Sequence, residues 1–387
     1  MDRVVVVGAG LAGLQTVAAL RAQGYAGRLA LVGAEPHLPY DRPPLSKALL
    51  LGDTDDSTIE ADWAAWDVDL RRGVSATGLR EGVLETDAGE LGWDRLVLAT
   101  GAVAARPPGT EAALTLRTRD DALALRRRLL PGTRLVIVGA GWIGAEVATA
   151  ALRVGARVTV VEALGTPHAG ALPAEVGMRM LPWWSAADLR LGEAVVSVGP
   201  EAVHLRSGAA VAADVVLLGV GARPATAWLR GSPVELTDRG AVAVGGSLRT
   251  SMPGVWAVGD AAAWQSPRYG TRMHVEHWDN ALRAPAVVAT GLLGGDATWD
   301  PVPYFWSEQW GRMVQYAGHH PGADRVVWRE DAHGWAVCWL AGDRLVAMLT
   351  VDRPRDLVQG RRIMQAGGAV DADRLADPAL AVTAAAV

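Results

Sequence analysis

The hydrophobic pattern opens, directly after Arg3, on an unbroken run of valines over residues 4–7, bounded by Gly8-Ala9-Gly10-Leu11-Ala12-Gly13. A short continuous apolar run of this kind predicts a buried parallel strand. A helical stretch follows to about Gln23, with Gly24 as its stop. A second apolar strand is expected over residues 28–32, closed by Gly33-Ala34-Glu35. A proline-rich loop at 36–44 then leads to a helix expected from Ser46, and residues 95–99 read as another buried strand before Thr100-Gly101. The same phrase returns later. Residues 135–138 are apolar, Gly139-Ala140-Gly141-Trp142-Ile143-Gly144 follows, a helix is expected to about Val154, and a strand over 158–161 ends at Glu162. The chain therefore carries two copies of one strand–turn–helix–strand unit, an internal repeat. Further strands are expected near 214–221 and over 255–258, the latter leading into Gly259-Asp260. From about residue 303 the pattern changes to short runs rich in aromatic and branched residues, at 325–328, 335–340 and 345–350, which predict antiparallel strands, with a helix near 355–366.

Composition narrows the chemistry. The chain has 387 residues, enough for two or three domains, and half of them are hydrophobic, enough for a sizeable core. The net charge of −5 argues against nucleic acid as the main partner, because phosphate binding calls for a basic surface. Cys338 is the single cysteine, so a disulfide framework, an all-cysteine metal or iron–sulfur site and a Cys-x-x-Cys redox pair are all excluded. No apolar stretch approaches the roughly 20 residues a membrane span needs, and MDRVVVVGAG lacks the flank and cleavage site of a signal peptide. The expectation is a cytoplasmic protein. Among 37 basic residues only Lys47 is a lysine, and Asn280 and Phe305 are also singletons of their types. A lone lysine amid arginines suggests a task arginine cannot perform.

Each glycine turn lies between a strand and a helix, with a following strand that ends in an acid. This is the context that makes the dinucleotide-binding motif credible. The glycines permit a tight turn and close approach to a pyrophosphate, and the helix N-terminus offers free N–H groups. Glu35 and Glu162 are placed to accept from an adenosine ribose. Ala163 and Leu164 follow Glu162, with no arginine set to grip a 2′-phosphate, so the second site is expected to prefer NADH. Two dinucleotides without a disulfide are most simply a flavin and its hydride donor. The paired positions His274/His277 and His319/His320 lack an evident third ligand, so no metal is expected.

The residues then carry a resemblance. Residues 8–13, Pro39-Tyr40-Asp41-Arg42-Pro43-Pro44-Leu45-Ser46-Lys47, Leu98-Ala99-Thr100-Gly101, residues 139–146, 219–224, 254–261 and Phe305-Trp306-Ser307-Glu308-Gln309 occur in this order. Together, over about residues 3–364, they resemble the FAD-dependent, NADH-using ferredoxin reductases. The resemblance implies an α/β, glutathione-reductase-like fold. It implies an FAD-binding domain at 1–103 and 224–304, an NADH-binding domain at 104–223, and an α+β C-terminal domain at 305–387. FAD contacts are implied at Gly8, Gly10, Leu11, Ala12 and Gly13 for the pyrophosphate, with Arg42 nearby. They are implied at Ala76, Ala99, Thr100, Gly101, Gly259, His277 and Trp306, at Asp260 for the ribityl chain, and near the ring at Lys47, Arg117 and Trp278. The acid usual to the family at position 34 is Ala34 here, so Glu35 is expected to serve. NADH contacts are implied at Gly139, Gly141, Trp142, Ile143, Gly144, Glu162 and Gly221. Lys47 and Glu146 are implied as a catalytic pair beside the flavin. Trp142 is either a cover that moves aside for nicotinamide or a packed seam aromatic. The implied acceptor is an acidic [2Fe–2S] ferredoxin serving a cytochrome P450 or an oxygenase. Arg353, Arg355, Arg361 and Arg362 are either a solvated helix face or part of its docking surface. An NADH oxidase, a quinone or small-molecule reductase, and a redox-responsive NADH-binding signalling protein are the alternatives.

Overall fold

The computed structural model describes residues 2–387. Two parallel sheets are built to the same plan. In the first, the order is Val255–Ala257, Arg95–Leu98, Arg3–Val7, Arg28–Gly33, Val68–Arg72. In the second, the order is Leu114–Thr115, Val215–Leu218, Arg134–Val138, Arg157–Glu162, Asp188–Leu191. In both, the strand entering the glycine turn is central, flanked on one side by the strand that ends near the acid. Val4, Val5, Val6 and Val7 are all buried, as are Leu135, Val136, Ile137 and Val138, which is why both runs read as continuous rather than alternating. Helices Leu11–Ala22 and Trp142–Val154 leave the glycine turns.

The chain enters and leaves the second sheet through two short strands, Ala102–Ala104 and Ala222–Pro224, which pair antiparallel. The final part is a five-stranded antiparallel sheet ordered Tyr304–Gln309, Arg312–Gly318, Arg344–Val351, Gly334–Ala341, Arg325–Asp331, backed by helix Pro354–Ala366. Arg329 is buried in this unit. It faces Asp356 at 3.4 Å and donates to the carbonyls of Leu375, Asp377 and Leu380, tying the C-terminal tail to the sheet. Among the described residues no helix is long and apolar enough to cross a membrane.

Three local expectations change. The helix expected from Ser46 is split: a 3₁₀ turn over Pro43–Ser46 and a short helix over Ala48–Leu51, with Lys47 at the break in a non-helical conformation. The strand Val68–Arg72 and the small antiparallel sheets at 76–92 and 195–212 escape the pattern reading because they are short and incompletely buried. The arginine stretch is not a uniform solvated face. Arg355 and Arg362 are exposed, but Arg353 turns inward to Asp331 and Asp356, and Arg361 pairs with Asp279 and lies over the Tyr304 ring. Two acids within reach of each of these guanidiniums, or one acid and a ring, outweigh full hydration.

Candidate functional site

The first glycine turn is shaped by contacts no side chain would allow. A Cβ on Gly8, whose φ is +110°, would stand 2.1 Å from the Ala99 carbonyl oxygen, and one on Gly13 would stand 1.8 Å from the Gly8 carbonyl oxygen. Gly10 faces open space. The turn therefore packs tightly behind and stays bare in front, the shape a pyrophosphate needs beside a helix N-terminus. Ala12 lies close to Gly259 across the two segments. Two buried polar atoms on neighbouring segments, Thr100 Oγ1 and His277 Nδ1, have no protein partner. Buried polar atoms are rarely left unpaired, so both fit an extended polar group such as FAD. Ala76 is partly buried against the core of this sheet.

The second turn repeats the geometry. A Cβ on Gly144 would stand 2.1 Å from the Gly139 carbonyl oxygen, and Gly141 and Gly221 have open surroundings. Glu162 accepts from the Ala140 and Leu164 N–H groups, each at 2.8 Å, which fixes its carboxylate beside the turn. Ile143 at the start of the helix and Leu164 and Val220 on the surrounding loops are exposed, an apolar rim without a protein cover.

The two units meet at an ion pair whose carboxylate is buried and whose ammonium is partly exposed. Lys47 Nζ lies 2.8 Å from Glu146 Oε2. Ser46 Oγ donates to the same oxygen at 2.5 Å, and Ser307 Oγ donates to Oε1 at 2.6 Å. Glu146 lies one turn beyond Trp142 on the same helix, so both side chains lean to one face. A carboxylate of the second unit is thus held by residues from the first unit and the C-terminal sheet at once. Sequence reasoning had Lys47 and Glu146; Ser46 and Ser307 lay inside quoted motifs without an assigned role.

Around this pair, Arg117 donates to Asp260 at 2.7 Å and to the Ala102 carbonyl, and His274 Nε2 lies 2.9 Å from the Asp260 carbonyl. Trp278 Nε1 donates to Asp41, and its ring meets Trp306 edge-on at 5.8 Å. Trp306 in turn stacks with Tyr304. Glu35 and Arg42 are joined to each other: Glu35 accepts from Arg42 at 2.8 Å and from the Tyr40 hydroxyl at 2.5 Å. Arg42 also donates to the Arg117 carbonyl, and Tyr40 accepts from the Arg119 N–H. Both Glu35 oxygens are engaged by protein donors, so a ribose hydroxyl would have to use their remaining lone pairs.

A cavity of about 680 Å³ opens beside Trp142, His277 and Phe305 and extends past Arg239, His274 and His320. Burial pushes the imidazoles of His168 and His277 down to about 4, so both rings are neutral at neutral pH. Cys338 is remote from this chemistry. It is fully buried in the C-terminal sheet, and burial pushes its thiol up to about 12, which removes it as a redox nucleophile.

Comparison with known proteins gives a consistent picture. The family described as pyridine nucleotide-disulphide oxidoreductase matches residues 2–284, and that described as reductase C-terminal matches residues 304–386. The chain is 38% identical to the ferredoxin reductase component of chlorobenzene dioxygenase from Cupriavidus sp. (strain PS12), over 97% of this chain and 95% of that one. It is 32% identical to putidaredoxin reductase from Pseudomonas putida, over 94% and 92%. Among solved structures, that of Fdr9 is 48% identical with a TM-score of 0.95, covering 99% of both chains. The covalent putidaredoxin reductase–putidaredoxin complex is 30% identical with a TM-score of 0.94, covering 99% of this chain and 97% of that one.

Proposed function

The chain belongs to the pyridine nucleotide-disulphide oxidoreductase family, and on that premise we propose that it carries electrons from NADH through FAD to a [2Fe–2S] ferredoxin supplying an oxygenase or a cytochrome P450. The observation that carries this reading is the Lys47–Glu146 pair, set where two dinucleotide turns and the C-terminal sheet converge, in a chain that has no second cysteine. The division into an FAD domain (1–103 and 224–304), an NADH domain (104–223) and a C-terminal domain (305–387) follows the paired crossing strands at Ala102–Ala104 and Ala222–Pro224.

In this reading the first turn, with Gly8, Gly10 and Gly13, holds the FAD pyrophosphate, and Thr100, Arg117, Asp260 and His277 hold the rest of the cofactor. The second turn and Glu162 hold NADH. FAD, when bound, supplies the conversion from a two-electron hydride donor to one-electron output. The protein's part is orientation and charge. Lys47 presents a fixed ammonium where negative charge develops, and a cation already in place costs no reorganisation during the reaction. Glu146 aims that ammonium, and Ser46 and Ser307 aim Glu146. Trp278, Trp306 and Tyr304 form an aromatic edge at the seam of the first unit and the C-terminal sheet, where a ferredoxin would approach.

The test is NADH oxidation under air by the purified flavoprotein, with and without a [2Fe–2S] ferredoxin, with cytochrome c as the one-electron reporter. Turnover should depend strongly on ferredoxin. Rapid oxygen consumption without it would identify an oxidase instead. The nucleotide assignment has its own check. Glu162→Ala should weaken NADH binding by about ten- to a hundredfold, the worth of a hydrogen bond to a charged group, while FAD stays bound. Calorimetric titration and flavin absorbance read the two separately. Loss of FAD with unchanged NADH affinity would mean that the two sites are exchanged.

A further inference from the structure

Trp142 is held in place by two rings from other parts of the chain. The His168 imidazole faces its indole with centroids 4.2 Å apart and planes inclined by 31°. Phe305 meets the indole near edge-on at 4.8 Å. His168 lies on the loop after strand Arg157–Glu162, and its N–H donates to the Ala140 carbonyl at 3.0 Å, pinning this loop to the second glycine turn.

His168 is an expensive residue where it stands. Its backbone is left-handed, with φ at +58°, a conformation that asparagine and glycine reach more easily. It is 2% exposed, and its Nδ1 has no partner. A polar ring buried with an unmatched nitrogen in a strained backbone persists only where something else is gained. Two features need the ring itself. One is the flat face against Trp142. The other is Nε2, which lies 3.2 Å from Gln309 Oε1, so that the proton sits on Nε2. Gln309 Nε2 reaches Ser307 Oγ at 3.4 Å, and Ser307 donates to Glu146. Gln309 therefore orients the imidazole from the same strand that orients the Glu146–Lys47 pair.

We propose that His168 is a positioning residue that clamps Trp142 in the closed position beside the Glu146–Lys47 pair, so that NADH must break the His168–Trp142 stack to bring its nicotinamide in. This rests on the reading that Glu162 and the second glycine turn hold NADH. The closed stack competes with the nucleotide, and the apparent affinity is reduced by the fraction of protein that is open. An aromatic pair is worth enough to shift that balance by between about twofold and tenfold.

The experiment titrates NAD⁺ calorimetrically into FAD-loaded wild type, His168→Asn, Phe305→Leu and Glu162→Ala. His168→Asn removes the ring but keeps a residue that accepts the left-handed backbone. It should bind NAD⁺ about two- to tenfold more tightly, and in turnover its KM for NADH should fall without a rise in kcat. Unchanged or weaker NAD⁺ binding overturns the clamp. Should His168→Asn fail to retain FAD, Phe305→Leu, which loosens the other side of the indole, carries the same expectation and the same refutation. Glu162→Ala separates the two layers of the argument. If it binds NAD⁺ like wild type, the nucleotide site is wrongly placed and the clamp falls with it. If it binds weakly while His168→Asn and Phe305→Leu are unchanged, only the clamp is wrong.

Discussion

Lys47→Ala should slow the reduction of bound FAD by NADH by roughly 10²- to 10³-fold, the range found when one preorganised charge-stabilising donor is removed from an active site. Stopped-flow bleaching of the flavin absorbance measures this step directly. The substitution has a second consequence. Glu146 is 6% exposed, and without Lys47 its charge rests on Ser46 and Ser307 alone. Breaking one side of a buried ion pair costs about 3–5 kcal/mol, more than the pair itself contributes, because a charge is left uncompensated. The slower rate and the lower stability can be told apart. The double variant Lys47→Met/Glu146→Gln removes both charges at nearly constant volume. It should regain most of the thermal stability and none of the rate. An unchanged reduction rate in Lys47→Ala would show that the ammonium is structural only.

Gly144→Val should abolish measurable NADH binding while FAD remains bound, and Gly13→Val should do the reverse, releasing FAD. At both positions the reason is the same. The new Cβ would lie 2.1 Å from the Gly139 carbonyl oxygen in one case and 1.8 Å from the Gly8 carbonyl oxygen in the other. These are backbone atoms, which cannot rotate away as a side chain could. The helix must move off its strand, and the N–H groups at its start then no longer converge on one point. Overpacking of this kind costs about 1–3 kcal/mol or more, so a lowered melting temperature should accompany each variant. Equilibrium dialysis for FAD and calorimetry for NAD⁺ test the pair. If each variant lost both ligands, the two turns would not act as separate sites.

Both glycine turns were legible in the sequence because every determinant of their shape is local. Val4 to Glu35 and Leu135 to Glu162 each contain the strand, the turn, the helix and the acid in one stretch, and the structure pairs the strands in parallel as the valine runs require. Cys338 is fully buried in the strand Gly334–Ala341, whose residues 335–340 are buried on both faces. Lys47 drew notice as the one lysine among 37 basic residues. The arginines near the C-terminus were read less well. Their spacing says nothing of Asp279 or Asp331, whose carboxylates draw Arg361 and Arg353 out of the exposed face.

Local chain was enough for the two glycine turns, the strands and helices that flank them, the absence of a cysteine pair and the identity of the lysine. These depend on steric permission and hydrophobic period within some thirty residues of chain. It took the folded chain to show that Ser46 and Ser307 grip opposite oxygens of Glu146, that Glu35 is committed to Arg42 and Tyr40, and that His168 lies flat against Trp142. Ser307 and Glu146 are 161 residues apart, and His168 and Gln309 are 141 apart. No periodicity spans such distances. These contacts exist because the three units share core clusters across their boundaries, Leu45 and Leu49 packing with the second unit and Val176 and Met180 with the C-terminal sheet, and a polar group caught at such a seam takes whichever partner the packing delivers.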